Sequence, residues 1–168
     1  EKSYLSATTM TSKKMILRPK IALYEPDIPQ NTAAIIRTCS CLDVMVEIIE
    51  PCGFMLNDKR FKRVVMDYLD ERMIKFYKNY DVFFQTKKKE KERIVLMTTK
   101  ASTSYSNFKF NVTDTLLFGR ESAGVPEKIH KLVDKRLKIP LSFKKRSLNL
   151  ASSVAIALAE SLRQNKLI

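Results

Sequence analysis

The chain has 168 residues, 45% of them hydrophobic and 29% charged, and no apolar run approaches the roughly 18–20 residues that span a membrane. That balance describes a globular chain rather than a disordered one or a membrane helix, and the length fits one domain with a buried core. Lys and Arg number 31 against 18 Asp and Glu, a net charge of +13 that favours a polyanionic partner, nucleic acid or a membrane surface.

Residues Glu1–Lys20 are rich in Ser, Thr and Lys and show neither helical nor strand period. They lack the continuous apolar stretch of a secretory signal. A transit peptide fits the composition. A flexible or added leader over residues 1–19 fits better, because Glu1 is no initiator and Met15 stands just before the first strand.

From there strand and helix alternate. Lys20–Tyr24 reads as an apolar strand ending at Glu25-Pro26, and Pro29–Leu42 as a helix with Ile35, Ile36, Cys39 and Leu42 on its apolar face. Val44–Ile49 is a second strand, and Asn57–Met66 holds a short basic helix. Met73–Phe76 suits a strand, Tyr80–Lys87 a helix, and Lys87–Glu92 a solvated charged turn. Ile94–Thr98, Thr115–Phe118 and Arg136–Ile139 read as further strands, and Asn149–Gln164 as the final helix, with Asn149 as its N-cap. This spacing predicts an α/β domain: a mainly parallel sheet with helices on both faces. In such sheets ligands bind beyond the carboxyl ends of the strands.

Other features are weaker. Cys39, Cys41 and Cys52 suit neither a disulfide framework nor a zinc pair, so reduced, cytosolic thiols are expected. The single histidine, His130, is expected on a polar helix surface, with no metal site and no Ser-His triad. GxGxxG after the first strand and the P-loop motif are both absent, which disfavours ordinary dinucleotide and NTPase sites.

Three segments carry candidate chemistry. Asn31 lies in the first turn of its helix, and Arg37, six residues on, is about 240° around and therefore off that face. Phe118-Gly119-Arg120-Glu121-Ser122-Ala123-Gly124-Val125-Pro126 holds two of the chain's 3 glycines at the end of a strand. It predicts a tight backbone turn, with Glu121 as a carboxylate nearby and Pro126 opening a helix. Ile139-Pro140 leads through Lys144-Lys145-Arg146 to Ser147-Leu148-Asn149 and a helix crowded with Ala and Ser. The basic run is either a solvated loop or a phosphate-contacting patch.

Taken in order, these segments resemble the three motifs of the SPOUT-superfamily RNA 2′-O-methyltransferases. Ile21–Thr32, Ile48–Phe54, Asp58-Lys59-Arg60, Asp67-Tyr68 and Thr98-Thr99-Lys100 are similar to the TrmL-type subgroup, and the likeness runs from about Lys20 to Gln164. The resemblance implies one domain over residues 20–168 with a deep C-terminal trefoil knot, an exception among folds. It implies S-adenosylmethionine as cofactor, tRNA as substrate with methylation of the wobble ribose, a homodimer, a cytoplasmic enzyme, and neither metal nor membrane. By motif, Met97, Thr98, Gly119, Glu121, Ile139, Ser147 and Leu148 would hold the cofactor. Arg37 and Asn149 would serve catalysis, and Asn31, Lys144, Lys145 and Arg146 would meet RNA. Ala33 and Asp43 stand where such chains usually have Gly, and Lys144-Lys145 replaces a less charged segment. An rRNA substrate, or an RNA-binding protein without catalysis, is the alternative.

Overall fold

A computed structural model describes residues 16–57, 59–66 and 73–168. Most of the leader, together with Asp58, Asp67 and Tyr68 of the TrmL-type pattern, lies outside the described residues. Six strands form one sheet: β1 (Lys20–Tyr24), β2 (Val46–Ile49), β3 (Ile74–Tyr77), β4 (Ile94–Met97), β5 (Thr115–Phe118) and β6 (Lys135–Leu137). Their order is β3-β2-β1-β5-β4-β6, and every pairing is parallel. The helices are α1 (Pro29–Cys41), α2 (Lys59–Met66), α3 (Tyr80–Glu90), α4 (Glu127–Leu132) and α5 (Leu150–Gln164).

Alternation along the strands sorts the core into two layers. Ile21 and Leu23 of β1, Val46 and Ile48 of β2, and Leu116 and Phe118 of β5 pack with α1, α2 and α5 through Ile35, Ile36, Phe61, Val154 and Leu158. Ala22, Tyr24, Ile49, Leu96 and Leu117 face the opposite layer, where Phe83 of α3 and Ile129 of α4 cover them. The α/β architecture with helices on both faces is therefore as expected. Buried on both sides, the central strands read as continuous apolar runs, which is why they were visible in the sequence.

Element ends moved by one or two residues, and Val44 became part of the turn after α1, where its N–H donates to the Cys39 carbonyl. Asp43 takes φ 56° there, the left-handed turn conformation an Asp tolerates.

Two expectations fail. Lys87–Glu92 is not a solvated turn: α3 continues to Glu90, and Lys91 caps it with φ 56°. Lys87 is fully buried, with its Nζ 2.7 Å from Glu47 Oε1 and 2.7 Å from Glu92 Oε2. The Tyr77 hydroxyl donates to the same Glu47 oxygen at 3.0 Å, and Lys20 pairs with Glu92. Burial raises the Glu92 carboxyl, but Lys20 and Lys87 outweigh it and hold the group below its usual value. His130 is not a surface residue either: it is 5% exposed, next to the buried Ile129 on the six-residue α4. Burial depresses its pKa.

Among the described residues, no helix is long and apolar enough to cross a membrane.

Candidate active site

Most of the candidate site residues gather beyond the carboxyl ends of β1, β4, β5 and β6, around a cavity of about 590 Å³. β5 ends at Phe118, and the chain doubles back at once. Arg120 N–H donates to the Gly124 carbonyl at 3.1 Å, and Gly124 N–H donates to the Arg120 carbonyl at 2.8 Å. A Cβ on Gly119 would stand 2.5 Å from the Gly124 carbonyl carbon, and Gly124 itself has φ 65°. One glycine is needed for close approach and the other for the left-handed turn.

This turn presents Glu121 to the first loop. Asp27 N–H donates to Glu121 Oε2 at 3.1 Å, and Glu121 N–H returns a bond to Asp27 Oδ1 at 3.1 Å. Asn31 Nδ2 donates to Glu121 Oε1 at 3.2 Å, and Asn149 Nδ2 donates to Asn31 Oδ1 at 2.9 Å. Asn149 also caps α5, its Oδ1 accepting from the Ala151 and Ser152 N–H groups. The chain Glu121–Asn31–Asn149 thus ties all three sequence segments together. Each amide donates with its nitrogen and accepts with its oxygen, so both orientations are fixed.

One cation, Arg120, faces the carboxylates of this cluster. Arg120 lies 3.4 Å from Glu25 Oε2 and 3.5 Å from Asp27 Oδ2, and the Ser122 hydroxyl donates to Asp27. Burial raises the Glu121 carboxyl, and its contact with Asp27 adds to this. The same contact, with help from Ser122 and Arg120, holds Asp27 down at about 2.

The cavity wall brings together Asn31, Met97, Thr98, Gly119, Glu121, Ile139, Ser147, Leu148 and Asn149. Arg37, Lys144, Lys145 and Arg146 are not part of that wall. Arg37 is exposed on α1, about 9 Å along the helix axis from Asn31 and on another face. Sequence reasoning passed over Asp27 and Ser122, and it placed on the surface His130, which lines this cavity. Asp27 could have been found by the same strand-end rule that singled out Glu25-Pro26, since it follows them directly.

The volume lies in the range of small-molecule sites, and the walls are about equally polar and apolar. Met97, Ile139, Leu141 and Leu148 offer flat apolar contact, while Thr98, Glu121, Ser147 and Asn149 offer hydrogen bonds. That donor set fits a ligand with one heteroaromatic and one polar part. Among the described residues, no group of three or more His, Cys, Asp or Glu could hold a metal ion.

Comparison with known proteins agrees with the geometry. The pattern of the SpoU rRNA Methylase family matches residues 18–159. A protein of Beijerinckia indica subsp. indica named tRNA (cytidine(34)-2′-O)-methyltransferase is 47% identical over 144 residues, covering 86% of this chain and 90% of its own. A solved structure described as giving structural insights into the 2-OH methylation of C/U34 on tRNA superposes with TM-score 0.83 at 32% identity, covering 89% of this chain and 97% of its own. An AdoMet-bound rRNA methyltransferase from Sinorhizobium meliloti shares the fold, with TM-score 0.79 at 23% identity over 87% of this chain and 56% of its own.

Proposed function

The chain belongs to the SpoU rRNA methylase family, and from that premise we propose that it methylates the ribose 2′-oxygen of the wobble nucleotide, cytidine or uridine, in tRNA. The observation that carries this reading is the Glu121–Asn31–Asn149 chain of hydrogen bonds on the wall of a ligand-sized cavity. Residues 20–168 act as one catalytic domain in this reading, working in the cytoplasm, with the trefoil knot of SPOUT enzymes around the cavity. The return of the chain at Gly119–Gly124 and the long segment from Ile139 to Asn149, which wall the same cavity, support the knot.

S-adenosylmethionine, when bound, supplies a methyl group on a sulfonium centre. Met97, Ile139 and Leu148 would hold its adenosine against apolar wall, and Thr98, Gly119, Glu121 and Ser147 would fix its polar edges. Asn149 and Asn31 would keep that part of the cavity wall in one geometry. In-line displacement needs an aligned 2′-oxygen more than it needs a strong acid. A guanidinium is a donor with no acceptor, so Arg37 would pair with a substrate phosphate and polarise the hydroxyl rather than act as a simple base.

Since Arg37 is not on its own chain's cavity wall, this reading has it act in a homodimer, from the neighbouring subunit. Ile28 just before α1 and Ile156 on α5, each partly exposed, supply apolar surface for such a dimer. Light scattering is expected to show two copies.

The direct test is nucleoside mass spectrometry of tRNA and of rRNA after incubation with the enzyme and S-adenosylmethionine. A wobble ribose methyl on tRNA is expected; methylation of rRNA alone would move the substrate, and no methyl on either would sink the reading. Arg37→Ala is expected to keep cofactor affinity by calorimetry and to lose about 100- to 1000-fold in turnover, as when one charge-stabilising donor is removed. Mixing Arg37→Ala with Asn149→Ala subunits should recover part of the activity, since one site in a mixed dimer keeps both residues. Failure to recover would place Arg37 outside a shared site.

A further inference from the structure

Phe143 is 89% exposed, more than any other large hydrophobic side chain among the described residues. It stands at the tip of a tight turn in which Lys145 N–H donates to the Ser142 carbonyl at 3.1 Å. Lys144 takes φ 68° in that turn, a conformation that glycine or asparagine would adopt with less strain. The turn therefore holds the ring outward at a local cost. Lys144 Nζ lies 5.6 Å from the ring centroid, within cation–π range, and Lys145 and Arg146 follow, both exposed.

The two ends of this loop line the cavity: Leu141 two residues before Phe143, and Ser147 four residues after it. A strand that presents its ribose to the cavity would thus have its neighbouring nucleotides beside the loop. An aromatic face among three cations is the chemistry of a single-strand reader. The cations track phosphates, and the ring stacks on an unpaired base. A second copy of this chain is the poorer occupant, because covering Phe143 would also desolvate Lys144, Lys145 and Arg146 against a protein that carries a net charge of +13.

We propose that Phe143 is a base-stacking residue that, with Lys144, Lys145 and Arg146, seats an unpaired nucleotide next to the one being methylated. This rests on the RNA methyltransferase reading above and adds a substrate-positioning residue to it.

The experiment measures binding of the full chain to a stem-loop RNA with a tRNA anticodon loop and cytidine at the wobble position. Parallel RNAs carry an abasic site at one loop position at a time. Phe143→Ala is expected to weaken binding of the parent RNA by about 5- to 150-fold, the range for loss of one base–aromatic stack. Phe143→Trp should restore it. The Phe143→Ala loss should vanish on the one abasic RNA that lacks the stacked base, whereas Lys145→Ala should weaken all the RNAs alike. No loss on the parent RNA, an equal loss on every abasic RNA, or conversion of a dimer to a monomer by Phe143→Ala would each overturn the proposal. Methyl transfer by the wild-type protein to the same RNAs separates the two readings. Transfer without a Phe143 effect overturns the stacking role alone; base-dependent coupling without transfer keeps that role and removes the catalytic reading.

Discussion

Lys87→Ala is expected to destabilise the protein by about 3–5 kcal/mol, the range for removing one partner of a buried ion pair. The lysine is fully buried between Glu47 and Glu92, and Glu47 is itself 1% exposed. Without Lys87, Glu92 keeps Lys20, but Glu47 keeps only the Tyr77 hydroxyl among its hydrogen-bond partners described here. A buried carboxylate with one neutral donor must then remain charged in an apolar layer or take up a proton. Urea denaturation should show a lower midpoint with an unchanged slope. Combining Lys87→Met with Glu47→Gln removes both charges and leaves Tyr77 an acceptor, so most of the lost stability should return. The network lies toward the amino ends of the strands, away from the cavity, and methyl transfer per folded molecule should stay near the wild-type level. A single mutant within about 1 kcal/mol of wild type, the level of an exposed pair, would show that the network does not hold this layer together.

Gly119→Ala is expected to lower activity by about 100-fold, the scale of a roughly 1 Å misplacement in an active site. Its Cβ would sit 2.5–2.9 Å from three backbone atoms of Gly124, and backbone cannot swing aside as a side-chain tip can. The turn would have to open, carrying Glu121 away from Asp27 and Asn31. Stability should fall by only about 1–3 kcal/mol, as in other overpacked sites, so the protein would still fold. Calorimetry should show loss of cofactor binding in step with activity. Gly124→Asn is the contrast: nothing lies within 4 Å of its Cβ position, and asparagine tolerates the positive φ. That variant should retain most of the binding lost in Gly119→Ala. Equal losses in both would mean that the close approach at Gly119 is not the critical contact.

The two glycines also show where sequence reading reached its limit. Their place at the end of an apolar strand was enough to predict a tight turn. The backbone that Gly119 must accommodate turned out to be that of Gly124, and only the folded loop shows it. Asn149 was legible as a cap, because capping is local and its partners are Ala151 and Ser152. Its bond to Asn31 spans 118 positions and has no local signature. Lys87 was misread for the same reason: its partner Glu47 is 40 residues away, and a run of lysines next to it has the pattern of a solvated turn. His130 was misread because a six-residue helix has too few turns to display a buried face. The strands, by contrast, are buried on both faces and announce themselves as unbroken apolar runs.

The strand order sets the sequence in which the molecule can assemble. β1, β2 and β3 neighbour one another and can pair early, but β1 must keep its other edge open for β5, joining residues as far apart as Lys20 and Thr115. Only after that ladder closes can the Gly119 turn bring Glu121 to Asp27 and Asn31. Non-local pairing of this kind slows folding. During synthesis the nascent chain carries an unpaired, apolar β1 edge until β5 has left the ribosome. The candidate site is therefore among the last parts of this domain to form.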